Sequence, residues 1–78
     1  METITLKYPI DVAGEQITSL NLRRVTVGDL EITNREKDEL SKSICLISLI
    51  GEIAPEHVRM IDASDFNQAS AVVESFLE

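Results

Sequence analysis

The amino-acid sequence predicts a small α+β domain in which an N-terminal β-hairpin packs on a bundle of about three helices, in the order ββααα. Three observations carry that expectation. Ile4, Leu6 and Tyr8 alternate with Thr3, Thr5 and Lys7 at the period of a half-buried strand. The run LSKSICLISLIG from Leu40 to Gly51 is the only long apolar stretch, and as a helix its last two turns are apolar nearly all round, so it must be covered on more than one side. Phe66, Ala69, Val73, Phe76 and Leu77 recur at steps of three and four, the stripe of an amphipathic helix able to cover one of those sides.

Taken in order, Pro9 is expected to end the first strand. Asp11 to Glu15 then carries a turn in which Gly14 is free to take positive φ. A second strand follows from about Gln16 to Arg23. Thr18, Leu20 and Leu22 share a face and Ile17 falls on the other, so either a bulge near the turn shifts the phase or one isoleucine is exposed. Thr26 and Asp29 have the spacing of a capping box, which predicts a short helical turn from Val27 to Glu31. Thr33 and Glu36 repeat that spacing. Thr33 is therefore the expected N-cap of the central helix, which would run from Asn34 to about Ile50 with Gly51 as its C-cap. Pro55 opens a short helix reaching Ile61, with Val58 and Ile61 inward. Asp62 and Asp65 have capping spacing again, and the last helix runs from about Ala63 to Leu77. A lone two-stranded hairpin is marginal in water, so the face of Ile4, Leu6, Leu20 and Leu22 has to pack on the helices. The chain reads as a single domain over residues 1–78, with the hairpin in 1–24 and the helical part in 26–78.

Composition narrows the function. A domain of this size buries only about 60% of its unfolded surface, so help from a partner or from self-association is expected, and a large enclosed active site is not. The net charge of −7 argues against binding the nucleic-acid backbone, which requires clustered Lys and Arg. The central apolar run is shorter than the roughly 20 residues that cross a bilayer, and polar residues interrupt it, so no membrane span is predicted. METITLKYPI lacks a basic segment followed by an apolar one, so no secretory signal is predicted and the protein is expected in the cytoplasm. One cysteine and one histidine, with no glycine-rich loop, leave no inventory for a metal centre, a cofactor or a nucleophile paired with a base. No enzymatic activity is predicted. Cys45 reads as an inert core thiol against the alternative of a reactive one, and His57 as solvated surface against a catalytic role. The paired carboxylates read as helix caps and first-turn acids.

The doublet Arg23 and Arg24, followed by Asp29 and Glu31, is the only basic cluster. It reads either as a structural ion pair with Asp29 or as a contact to an acidic partner. Cys45, Leu46 and Leu49 are the apolar positions least claimed by the chain's own elements. With Arg23 and Arg24 they are the candidate partner-binding residues, and the exposed hairpin edge and the central helix are expected to take part, with self-association into a homo-oligomer competing for the same surface.

The whole pattern resembles a known family. Lys7-Tyr8-Pro9-Ile10, a Gly14 turn and LNLRRVTVGDL from Leu20 to Leu30 are similar to the small tail assembly proteins of long-tailed bacteriophages and Mu-like prophages. So are the helix ending Leu49-Ile50-Gly51, the pair Ile61-Asp62, Asp65 and the terminal V-x-x-F-L from Val73 to Leu77. The family commonly has proline after the arginines, where this chain has Val25. The motif falls on Arg23, Thr26, Gly28, Asp29, Leu30, Gly51, Asp62 and Asp65, several of which also read as caps and turns. The resemblance implies a non-enzymatic tail assembly chaperone that binds the tape measure protein and keeps it soluble in the host cytoplasm while tube subunits polymerise around it. It further implies absence from the mature virion, and in many such phages a frameshifted longer form that recruits the tail tube protein. The other classes open to the sequence are a small acidic regulator or inhibitor, which would cluster its carboxylates on one surface, and a structural component of the tail.

Overall fold

The computed structural model describes residues 1–78 and has the expected α+β class with the hairpin first, its helical part divided into four helices: β1 (Glu2–Val12), β2 (Glu15–Leu22), α1 (Val27–Thr33), α2 (Glu39–Gly51), α3 (Pro55–Val58) and α4 (Ala63–Phe76). β1 and β2 form a two-stranded antiparallel sheet joined by Ala13 and Gly14. Both turn residues have positive φ, 51° and 86°, as a two-residue I′ hairpin turn requires, so the strain-free Gly14 is matched by a less comfortable Ala13. β1 and β2 pair Glu2 with Leu22 through Thr5 with Ser19, and resume at Ile10 with Ile17. Between those pairs the four residues Leu6 to Pro9 stand opposite the single Thr18.

That bulge corrects two expectations. Pro9 does not end the strand. It lies inside the irregular stretch, where a missing N–H breaks no ladder bond, and β1 continues to Val12. The phase change anticipated near the turn comes from the middle of β1 instead. Its effect is to swing Tyr8 into solvent while Ile10 joins Ile4 and Leu6 in the core, and to bring Ile17 against the same core on β2. The bulge also frees the amides of Lys7 and Tyr8 from the ladder. Both donate to the carboxylate of Asp65, one to each oxygen, at 3.0 Å. Asp65 is only 2% exposed, so its charge is satisfied by this pair of backbone donors and not by a cap on its own helix. The N-terminus of α4 is held by Asp62, which accepts from the Ser64 amide at 3.0 Å and the Ser64 hydroxyl at 2.6 Å. Asp65 thereby ties α4 to β1 across the fold.

The central helix is shorter than the sequence suggested. α1 has the full capping box: Thr26 Oγ1 accepts from the Asp29 amide and Asp29 accepts from the Thr26 amide. It then runs to Thr33, which is the last residue of α1 and not the N-cap of α2. Asn34 to Asp38 form the connection, and Asp38 caps α2 by accepting from the Ser41 amide at 2.8 Å. At the other end Gly51 is the final helical residue, and Glu52 takes the left-handed position at φ 52° that Gly51 was expected to fill. Gly51 serves a different need. A Cβ there would lie 3.2 Å from Leu22 Cδ2, so the glycine lets α2 approach β2, where the Arg23 amide donates to the Ile50 carbonyl at 3.1 Å.

Leu22, Ile47 and Ile50 are among the most deeply buried side chains and mark where β2 meets α2. Val58 and Ile61 point inward as expected, although α3 itself ends at Val58. Ala69 and Val73 bring α4 onto the same core. Leu77, the last residue of the expected stripe, is 54% exposed.

Candidate partner-binding surface

α2 is the spine on which α1, α3 and α4 pack, and because its last turns are apolar all round, its neighbours leave part of it uncovered. Three open depressions flank it, and the most voluminous, about 650 Å³, lies between the hairpin and the end of α2, where Ile17, Leu20, Ile50 and Ile53 meet Glu15 and Glu52. A second, about 610 Å³, lies between α1, α2 and α4. Leu46, Ile47 and Val73 form its apolar floor, and Val27, Leu30 and Leu77 stand around it, with Val27 83% exposed. Its polar lining includes Glu31, Glu39, Glu74 and Lys42. The smallest, about 340 Å³, lies between the start of α2, α3 and the start of α4, where Leu40, Ile44, Ile61 and Phe66 contribute and Arg59 is the single charged residue.

The sequence-predicted candidates are distributed differently from these depressions. Arg23 makes a two-pronged ion pair with Asp29, Nη1 to Oδ2 at 2.7 Å and Nη2 to Oδ1 at 3.0 Å, so it fixes the approach of β2 to α1. The Arg23 guanidinium, and after it the Thr26 amide, hold the Asp29 carboxyl well below the usual carboxylate range. Arg24 donates to the Phe76 carbonyl at 3.1 Å and lies 5.5 Å over the Phe76 ring, which places a cation at the negative end of α4. Both arginines therefore have intramolecular partners. Cys45 is half-buried, and burial pushes its thiol up, with Glu36 adding to the shift, which disfavours the thiolate. Leu46 was expected to be unclaimed. It is 8% exposed and belongs to the core, yet its remaining surface forms part of the floor of the groove between α1, α2 and α4. Leu49 is half-buried and lies outside that groove.

Sequence reasoning missed Val27, Leu30, Leu77, Glu31 and Glu74. The available signal was Val27 and Leu30, spaced three apart on a helix too short to bury both ends. No group of three or more His, Cys, Asp or Glu is placed to hold a metal ion, and no helix is long and apolar enough to cross a membrane. Every buried side-chain nitrogen and oxygen has a hydrogen-bond partner, so no orphaned polar group marks a concealed site.

What the surface offers is open apolar area rimmed by carboxylates, the makings of a protein contact. No curated protein and no solved structure matches the chain. A family model does, over residues 3–78, and its description is "Phage tail assembly chaperone proteins, E, or 41 or 14". The match takes in the hairpin, the ion pair of Arg23 with Asp29, all four helices and the groove between α1, α2 and α4, and the chain belongs to this family of phage tail assembly chaperones.

Proposed function

We propose that this protein binds the tape measure protein and keeps it soluble during assembly of the tail tube, acting without catalysis in the cytoplasm of the bacterial host and leaving before the virion is complete. The observation that carries this reading is the open groove between α1, α2 and α4. In it, Val27 and Leu77 stay in water around a floor of core side chains. A chain of 78 residues gains little by exposing them unless another protein covers them. A tape measure protein is expected to be long and largely helical, with apolar stripes that aggregate when unpaired. Packing such a stripe into a groove of an acidic domain hides the apolar surface, while the net charge of −7 keeps complexes apart. A longer, frameshifted form would add the domain that recruits tail tube subunits.

Co-expression tests this reading. With the cognate tape measure protein, the expected outcome is a larger soluble fraction of the latter and a complex that co-purifies through a tag on either member. Unchanged solubility with no retention would overturn the proposal. Mass spectrometry of purified particles separates a chaperone from a structural component, because only the latter remains in the finished tail.

A further inference from the structure

We propose that the groove between α1, α2 and α4 receives a single amphipathic helix whose apolar stripe is flanked by lysine or arginine side chains. This rests on the proposed function, in which the tape measure protein supplies that helix. The walls of the groove decide the conformation of the occupant. All three are helices whose backbone groups are already paired along their own axes, so an extended segment would find no free strand edge and would desolvate its amides without recompense. A helix satisfies its own backbone and needs only apolar side chains spaced by three and four residues to meet Leu46, Ile47 and Val73 on the floor.

Charge decides the flanks. Three carboxylates, those of Glu31, Glu39 and Glu74, line the groove against the single ammonium of Lys42. Lys42 Nζ lies 3.7 Å from Glu39 Oε1, which leaves Glu31 and Glu74 without ion-pair partners. They sit on α1 and α4, the two helices that flank α2 here, so both sides of a seated helix would meet a free carboxylate. Cationic residues beside its stripe are attracted, and acidic ones are repelled. The smallest groove, by contrast, has one cation and no carboxylate in its lining, so it does not select for a basic helix, and the depression that holds Glu15 and Glu52 is walled in part by β2 and not by helices alone.

The test uses the full chain and three fluorescent model peptides. The first is an amphipathic helix with a leucine stripe flanked by lysines, the second carries glutamate in place of every lysine, and the third has the first peptide's composition scrambled to destroy the stripe. Wild-type protein is expected to bind the lysine peptide at least about tenfold more tightly than the glutamate peptide, the size expected when a few exposed ion pairs become repulsions. That preference should shrink as salt rises. The double variant E31K/E74K, altered at two exposed positions, should reverse the preference, and V27D/L77D should weaken binding of both striped peptides. Equal affinity for the two striped peptides, tight binding of the scrambled one, or an unaltered preference in E31K/E74K would overturn the proposal. So would sedimentation showing a wild-type dimer that V27D/L77D dissociates, because a second copy would then fill the groove. The two readings fail separately. If wild type and E31K/E74K retain the tape measure protein equally, the groove assignment falls and the chaperone reading stands. If wild type retains none while the peptides behave as expected, the reverse holds.

Discussion

Replacing Asp65 with alanine is expected to remove a large share of the domain's stability. The carboxylate is buried, and it accepts from the amides of Lys7 and Tyr8 at 3.0 Å each, across sequence separations of 58 and 57 residues. Hydrogen bonds to a charged group contribute about 1.5 to 3 kcal/mol each, and amides left unsatisfied cost about 1 to 3 kcal/mol. Two effects reduce the total. Lys7 and Tyr8 are themselves exposed, so water can reach part of the bulge once the carboxylate is gone, and alanine no longer carries the cost of burying a charge. A net loss of about 2 to 4 kcal/mol follows. Against a total of roughly 4 to 12 kcal/mol for a chain of this length, that is a large fraction. Urea unfolding followed by circular dichroism would measure it, and hydrogen exchange at the Lys7 and Tyr8 amides would locate it. Asp65→Asn should lose at least half as much as alanine, since the amide side chain offers one acceptor oxygen and turns an NH2 toward the second backbone donor. A loss below about 0.5 kcal/mol for D65A, with both amides still protected, would refute the idea that this carboxylate ties α4 to the bulge of β1.

Asp29→Asn should flatten the acid side of the stability profile. The folded state holds this carboxyl below its unfolded value, so its contribution is complete above about pH 5 and is lost as pH falls from about 4 toward the lowered folded value. The stability gap between wild type and variant should therefore be constant at neutral pH and narrow below about pH 4, read by thermal melts across a pH series. Gly51→Ala should destabilise by about 1 kcal/mol, because the helix-propensity gain of about 0.5 to 1 kcal/mol is outweighed by crowding Leu22 in a filled core at about 1 to 3 kcal/mol. Glu52→Gly, one residue later, should stabilise by about 1 kcal/mol, since it relieves a left-handed backbone at an exposed position. Urea midpoints of the two variants moving in the same direction would contradict this assignment of the α2 terminus.

Much of the fold could be read from short-range pattern. The capping box at Thr26 and Asp29, the alternation of Ile4 and Leu6, and the stripe through Phe66, Ala69 and Val73 are local signals that tertiary packing reinforces. The misreadings arose where two local signals compete. T-x-x-E at Thr33 and the Asp38 side chain, four residues before Lys42, both offer a helix start, and the one nearer the apolar run captured it. Glycine after leucine and isoleucine suggested a cap at Gly51, whereas its missing side chain is required by Leu22. Pro9 reads as a stop only if no bulge exists to hold it. Asp65 illustrates what spacing alone does not reveal: its carboxylate looks like a cap on α4, and its partners lie in another element. The candidate surface was partly legible. Leu46 was singled out, but burial on folding leaves only its edge in the groove, and the exposed residues around it come from α1 and the end of α4, where apolar side chains resemble ordinary core stripe.

Oxidative footprinting of the co-purified complex against the free chain tests whether the tape measure protein is held in the groove between α1, α2 and α4. Val27, Leu30 and Leu77 are exposed in the free protein and should lose reactivity in the complex, while Tyr8 on the hairpin should keep its own. Protection confined to Tyr8 and the hairpin, with Val27, Leu30 and Leu77 as reactive as before, would contradict that placement.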